Sequence, residues 1–125
     1  MSMYERVFAV RGAVQVNNDD REEIIQSVLT LFDTICERNA LSTDHIVSIQ
    51  FTVTPDLLTI NPATALRSRD SSFTIPLFCM QEPVIQDMLP RTIRCLIHYY
   101  HLQTHRPLPV YVGGACSLRP DLFAE

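Results

Sequence analysis

The pattern of apolar and polar positions predicts alternating strands and helices along the first half of the chain. The run "VFAVRGAVQV", residues 7–16, is β-branched and apolar and predicts a strand that Arg11 interrupts. From Asp19 to Asn39, apolar residues recur at helical spacing and acidic residues occupy the first turn, which predicts an amphipathic helix. The segment "IVSIQFTVT", residues 46–54, alternates strictly and predicts a second strand.

Two shorter elements are predicted next. The segment "NPATALRSRD", residues 61–70, is typical of a short helix, because Asn61 is a favourable N-cap and proline follows it at the first helical position. The run "SFTIPLFCM", residues 72–80, predicts a third strand. Pro76 within it indicates an edge position or a bulge, since proline has no N–H to donate to a neighbouring strand.

The last third of the chain predicts a long helix followed by a strand. Over residues 84–102, apolar side chains recur at helical spacing, with Arg94 beside the apolar stripe. The stripe consists of Leu89, Ile93, Leu96, Ile97 and Tyr100. The segment "PLPVYVGGACSL", residues 107–118, predicts a last strand that bends at its two glycines. The polar tail from residue 119 onwards is predicted to be mobile.

This order of elements, β-α-β-α-β-α-β, predicts a single α+β domain over residues 1–125, with one layer of sheet and helices on one face. A chain of 125 residues can bury one compact core and needs no second domain. The other face of the sheet needs a cover, since every predicted strand carries apolar residues. We therefore expect the protein to form oligomers through its sheet.

Charge and composition argue against several classes of function. The net charge of −4 disfavours nucleic acid and anionic membranes as partners, because both require a concentrated basic surface. The chain is 46% hydrophobic and 19% charged, as ordinary globular domains are, and no apolar stretch approaches the ~20 residues of a membrane span. The N-terminal "MSMYERVFAV" lacks the features of a signal peptide, which predicts a cytoplasmic location.

Neither the cysteines nor the glycines form a recognisable chemical motif. Cys36, Cys79, Cys95 and Cys116 are scattered, without a C-x-x-C pair or a histidine at metal-ligand spacing, so neither a zinc site nor a disulfide framework is expected. The sequence contains no glycine-rich phosphate loop, no G-x-S-x-G and no H-E-x-x-H. Covalent, phosphoryl-transfer and metal chemistry therefore lack support.

A few polar side chains occur where apolar ones are expected. Glu82 follows the apolar run of the third predicted strand, Arg11 interrupts the first strand, Arg94 lies beside a helical stripe and Tyr111 is flanked by valines. Each also has a structural interpretation. Glu82 could be a solvated loop acid and Arg11 an edge-strand residue that faces water. Arg94 could lie on a helix surface, and Tyr111 could be a core aromatic with a satisfied hydroxyl. Cys79 by itself is more typical of an inert core thiol than of a reactive one, because nothing basic adjoins it in sequence. Together, the cations, acid and phenol suit a site that binds a small dicarboxylate and acts by electrostatics.

Several short motifs resemble one enzyme family. "RGA" at 11–13, "TPDL" at 54–57, "CMQE" at 79–82 and "LRPDL" at 118–122, together with Arg94, resemble the monofunctional, trimeric chorismate mutases of the type found in Bacillus. The resemblance implies an isomerase that converts chorismate to prephenate in phenylalanine and tyrosine biosynthesis, with no cofactor and no covalent intermediate. It also implies a mixed four-stranded sheet backed by helices. Three copies would form a homotrimeric pseudo-barrel with sites at the subunit interfaces.

The resemblance also implies roles for individual residues. Arg94 matches the cation that faces the ether oxygen of the substrate, Glu82 the acceptor of its ring hydroxyl, and Cys79 a second group near that hydroxyl. Arg11 and Tyr111 match groups that bind the carboxylates. Further substrate-binding positions are implied at Arg67, Arg119, Phe78, Met80, Gln81, Leu118, Asn61 and Thr64. Arg67 would come from a neighbouring subunit and Arg119 from the tail.

Some positions depart from the family pattern. The family has an aromatic residue and a lysine where this chain has Asn61 and Thr64, so one cation near a substrate carboxylate is missing. We expect weaker substrate binding rather than a slower chemical step, because such a contact acts on ground and transition states alike. Phe78 is bulkier than its counterpart and is expected to reshape the pocket wall.

Two other functions stay open at this point. A trimer of the same architecture could bind an anionic metabolite without catalysis, or a different enzyme, similar to the imine deaminases, could use a related trimer. Retention of Arg11, Glu82, Arg94 and Tyr111 favours the mutase, since a binding protein needs no acceptor for the ring hydroxyl.

Overall fold

The computed structural model describes residues 5–118, which form five strands and two α-helices. In chain order these are β1 (Glu5–Gln15), α1 (Arg21–Arg38), β2 (Ile46–Val53), α2 (Pro62–Arg67), β3 (Leu77–Gln81), β4 (Thr92–Leu102) and β5 (Val110–Val112). Short 3-10 turns precede β2 and follow β5.

The strands form one mixed sheet in the order β3-β2-β4-β1-β5. β4 lies at the centre and pairs antiparallel with both β1 and β2, whereas the outer pairs, β2 with β3 and β1 with β5, are parallel. α1 and α2 pack together against one face of this sheet and enclose the main hydrophobic core. The predicted α+β class with helices on one face is confirmed, but the sheet has five strands instead of four.

The predicted helix over residues 84–102 is wrong, because residues 92–102 form the central strand. Side chains of β4 alternate between the core and the opposite face, so that Ile93, Cys95, Ile97 and Tyr99 are buried towards the helices. The same segment satisfies helical spacing only by combining side chains that point to both faces. Arg94 therefore belongs to a strand and not to the side of a helix.

The last predicted strand is also shorter than expected. Only Val110–Val112 of the predicted 107–118 forms a strand, parallel to β1. Gly113 adopts a positive φ of 62°, which glycine tolerates, and there the chain leaves the sheet for the 3-10 turn Gly113–Leu118. The third strand begins at Leu77, directly after Pro76, and lies at the sheet edge as proline indicated.

The first two predicted helices are confirmed, and so is the predicted N-cap of the second. α1 begins after Asp20, whose carboxylate accepts a hydrogen bond from Glu23 N at 2.9 Å. α2 begins after Asn61, whose Oδ1 accepts a hydrogen bond from Ala63 N at 2.8 Å. Such caps satisfy N–H groups that the helix itself cannot pair, which fixes where each helix starts.

Gly12, the middle residue of the "RGA" motif, allows α1 to approach the sheet closely. A Cβ atom at this position would lie 2.7 Å from Ile35 Cδ1 and 3.2 Å from both Leu31 Cδ1 and Cys95 Sγ. Ile35 and Leu31 are almost completely buried, so neither has free space into which to move. The glycine thus has a packing role. Because side chains alternate along a strand, the neighbouring Arg11 and Ala13 lie on the face opposite the helices.

Gly12→Ala is expected to lower the free energy of unfolding by about 1 kcal/mol. Overpacking a tight core costs about 1–3 kcal/mol, and this outweighs the 0.4–1 kcal/mol that alanine contributes by restricting the unfolded chain. Ile35→Val removes the methyl group that clashes, so the double variant is expected to be more stable than the sum of the single effects by about 1 kcal/mol. Urea unfolding of the four proteins measures this coupling, and strict additivity would contradict the proposed contact.

Candidate active site

The face of the sheet opposite the helices, called here the open face, carries a row of side chains that crosses all five strands. The pairing register aligns Tyr111 on β5, Ala13 on β1, Arg94 on β4, Thr52 on β2 and Met80 on β3. Neighbouring strands are about 4.8 Å apart, so each side chain in the row can contact the next. Polar groups far apart in sequence therefore meet at the centre of this face.

A pocket of about 300 Å³ opens on this face. Its lining includes Arg11, Gln50, Thr52, Met80, Glu82, Arg94 and Leu96. It contains two guanidinium groups and one carboxylate on an otherwise neutral wall, so it suits a small anion better than a cation. Its volume is at the lower end of the range for small-molecule sites in proteins.

Glu82 turns into this pocket from the end of β3. Its backbone N–H donates to Val53 O at 2.8 Å, which continues the β2–β3 pairing by one residue and fixes the side chain at the pocket. Glu82 Oε1 accepts a hydrogen bond from Thr52 Oγ1 at 2.6 Å and lies 3.2 Å from Arg94 Nε. The carboxylate side chain is only 14% exposed, and at that burial it needs such partners.

Arg94 projects into the pocket from the central strand. Its Nε is buried and forms an ion pair with Glu82 Oε1 at 3.2 Å, without a hydrogen bond. No hydrogen bond within residues 5–118 uses its two terminal nitrogens. Since the side chain as a whole is 35% exposed, these nitrogens are available to a ligand.

The "TPDL" motif anchors the strand that carries Arg94. Thr54 Oγ1 donates to Asp56 Oδ1 at 2.5 Å and accepts a hydrogen bond from Thr92 N at 3.0 Å. The Asp56 carboxylate also accepts a hydrogen bond from Arg91 N, at 3.0 Å to Oδ2. The motif thus joins the end of β2 to the start of β4, two residues before Arg94, and has a structural role.

Arg11 and Tyr111 extend the site towards β5. Arg11 is exposed and lies opposite Leu96 in the register, next to the row that contains Arg94, and β1 is not an edge strand. Tyr111 is only 6% exposed and packs with Ala13, and both Arg11 and Tyr111 line a second depression of about 170 Å³. The structure therefore groups Arg11, Glu82 and Arg94 in one pocket and places Tyr111 beside it.

Other residues implied by the resemblance lie elsewhere in the chain. Cys79 pairs with Phe51 and packs against the core on the helix side of the sheet, where burial raises the pKa of its thiol. Together with Asn61 and Gln81 it lines a separate pocket of about 320 Å³ at the start of α2. Thr64 and Arg67 are exposed along α2.

The remaining predicted positions lie on the open face or outside the described residues. Phe78 is 64% exposed and Met80 43% exposed on β3, and Leu118 packs against the small cluster around Tyr111. Arg119 and the tail predicted to be mobile lie outside residues 5–118.

Sequence reasoning missed Thr52 and Gln50 as pocket residues. Both belong to β2, where they occupy polar positions of the alternating pattern. The polar residues at these positions were the available sequence signal. A strand face exposed to solvent, however, would show the same polar residues.

Comparison with known proteins identifies the family. The family model "Chorismate mutase type I" matches residues 7–122. The chorismate mutase AroH of Bacillus subtilis is 34% identical over 117 residues, which cover 90% of both chains. AroH of Thermus thermophilus is 35% identical over 119 residues, covering 93% of this chain and 96% of the relative. A solved chorismate mutase from Clostridium thermocellum superposes with a TM-score of 0.77 at 33% identity, covering 88% of this chain and 98% of that one.

Fold, pocket and relatives together define an isomerase of aromatic amino acid biosynthesis. The chain belongs to the type I chorismate mutase family, as the sequence motifs predicted. Within the part of the chain that the structure describes, no helix is long and apolar enough to cross a membrane.

Proposed function

We propose that chorismate rearranges to prephenate in the pocket on the open face, and that a neighbouring subunit completes this site in a homotrimer. The observation that carries the proposal is the guanidinium of Arg94, fixed on the central strand beside the partly buried carboxylate of Glu82 in a pocket of about 300 Å³. The rearrangement needs no nucleophile and no proton transfer. It needs a substrate held in the reactive conformer and charge placed against the bond that breaks.

Arg94 supplies that charge. As the carbon–oxygen bond of chorismate breaks, the ether oxygen gains negative charge, so a cation fixed beside it stabilises the transition state more than the ground state. The ion pair with Glu82 and the position of β4 between two paired strands hold the guanidinium in place before the substrate binds. Little reorganisation is then needed when the charge develops.

Glu82 and Arg11 orient the substrate around that cation. Glu82 accepts a hydrogen bond from the ring hydroxyl, and Arg11 and Tyr111 bind the carboxylates at the β5 side of the open face. Contacts at both ends of the substrate hold the enolpyruvyl arm over the ring. The entropy of ordering the substrate is then lost on binding, so the activation barrier is lower.

The distribution of the other residues supports a site between subunits. The open face exposes Val7, Phe78 and Met80, which a second copy would cover. Cys79, Asn61 and the exposed Arg67 of α2 lie outside the pocket of their own chain, and we propose that they reach the pocket of a neighbouring subunit. The cytoplasmic location predicted from the N-terminal sequence stays a prediction.

A test of the shared site mixes two inactive variants. Arg94→Ala and Arg67→Ala, each impaired alone, are unfolded together and refolded as mixed trimers, and activity is followed by the loss of chorismate absorbance in the presence of a chelator. If each site combines Arg94 of one subunit with Arg67 of the next, mixed trimers regain sites in which both arginines are intact. Light scattering checks the assembly.

Two results would contradict the proposal. A wild-type protein that leaves chorismate absorbance unchanged overturns the assigned pocket and reaction together. Mixed trimers no more active than the two parents would show that the residues act within one chain, which overturns the interface site alone.

A further inference from the structure

We infer that Thr52 is a positioning residue for the mutase reaction: its hydroxyl holds one oxygen of Glu82 so that the other oxygen stays open to the substrate and Arg94 keeps its terminal nitrogens free. This inference deepens the proposed function and rests on it. It concerns a side chain that contacts neither the ether oxygen nor the carboxylates of the substrate in the proposed arrangement.

The position of the Thr52 hydroxyl is fixed by the sheet. Thr52 lies on β2, which is paired on one side with Met80 of β3 and on the other with Arg94 of β4. A β-branched side chain has restricted rotation about its first torsion, so a paired backbone on both sides also fixes the hydroxyl. Its distance of 2.6 Å from Glu82 Oε1 is that of a charge-assisted hydrogen bond.

The two oxygens of Glu82 are used unequally. Oε1 accepts the hydrogen bond from Thr52 and also lies 3.2 Å from Arg94 Nε, whereas no hydrogen bond within residues 5–118 involves Oε2. An ionised carboxylate can accept at both oxygens, so Oε2 retains its capacity for the ring hydroxyl of the substrate.

Without the threonine hydroxyl, a competing arrangement becomes available. The terminal torsion of a glutamate is broad, so the Glu82 carboxylate could rotate to place both oxygens on the guanidinium. Carboxylates and guanidinium groups favour such bidentate pairs. A bidentate pair would occupy Oε2 and one terminal nitrogen of Arg94, which are the two atoms the reaction needs. Thr52 opposes this pairing because it holds Oε1 from the side of β2.

Thr52→Val tests the inference, since valine keeps the branched shape and removes the hydroxyl. We expect kcat to fall roughly 10–100-fold, the range for loss of a hydrogen bond to a charged group, with a smaller change in KM. Thr52→Ser, which restores the hydroxyl, is expected to return kcat to within about threefold of the wild type.

Controls separate positioning from packing. Ser48→Ala removes a hydroxyl from the same face of the same strand, outside the pocket, and should leave all kinetic constants unchanged. Because Thr52 acts through Glu82, adding Thr52→Val to Glu82→Gln should lower kcat by less than twofold more. Thr52→Ala replaces the valine variant if circular dichroism shows that the latter is unfolded.

Three outcomes would overturn the inference while the proposed function stands. They are a valine variant with wild-type kcat and KM, a serine variant as impaired as the valine variant, and fully additive effects of Thr52→Val and Glu82→Gln. A wild-type enzyme without mutase activity in this pocket would instead overturn the proposed function on which the inference rests.

Discussion

Arg94→Ala is expected to lower kcat by at least roughly 10³-fold. Loss of one preorganised donor to a developing negative charge typically costs 10²–10³-fold, and here the loss also leaves the Glu82 carboxylate, whose side chain is 14% exposed, without its cation. The expected fall in kcat should exceed any rise in KM, because the contact forms chiefly as the bond breaks. Initial rates of chorismate loss measure both constants.

Arg94→Lys and Arg69→Ala are the matched controls. Lysine keeps the charge but supplies a single ammonium, which cannot pair with Glu82 and face the ether oxygen at the same time, so activity should remain at least roughly 10²-fold below the wild type. Arg69 forms a bidentate surface pair with Asp33 at 2.6 and 2.7 Å, outside the residues that line the pocket, so its loss should leave kcat unchanged. Near-normal turnover by Arg94→Lys would refute the assigned geometry.

Glu82→Ala is expected to have the second largest effect, a fall of roughly 10²-fold or more in kcat/KM. The substitution removes the acceptor for the ring hydroxyl and releases Arg94 from the contact that fixes it at 3.2 Å. Glu82→Gln keeps the size and one acceptor oxygen but lacks the charge that attracts the guanidinium. It should therefore be intermediate, with a clear rise in KM.

The control for Glu82 is Glu22→Gln. Glu22 is an exposed acid in the first turn of α1, outside the pocket lining, and its loss should cost a little stability and no activity. If Glu82→Gln turned over chorismate as fast as the wild type at equal KM, the carboxylate would have no role in orienting the substrate.

The first half of the fold was predictable because the apolar residues of each element there follow one spacing, either that of a helix or that of a strand. α1 shows one helical stripe and β2 one strict alternation, and both occur where expected. Residues 92–102 carry both periods, since apolar side chains occupy both faces of a central strand; Ile93 and Ile97 satisfy a helix as well as a strand. Pro90, just before the strand, was the sequence signal against a continuous helix. In the structure the next residue, Arg91, has a positive φ of 49°.

The site was only partly predictable for a related reason. Arg11, Glu82 and Arg94 were recognisable as polar groups in apolar surroundings, and the structure brings them into one pocket. The hydrogen bond between Thr52 and Glu82 depends on the register of β2 against β3, which composition and spacing do not reveal. In the proposed trimer, Cys79 and Arg67 would act in the site of a neighbouring copy, so the fold of a single chain leaves their roles as predictions.

The location of Arg94 at the middle of the sheet has a consequence for heat inactivation. β4 is paired with β1 along its whole length and with β2 over most of it, so amide protons around Arg94 can exchange with solvent only when the whole domain opens. A catalytic group on a loop would be lost earlier, by local fraying. The Arg94 guanidinium should therefore stay in place up to the temperature at which the sheet itself melts, so an earlier loss of activity on heating would originate elsewhere, for example at Glu82 beyond the end of the edge strand β3.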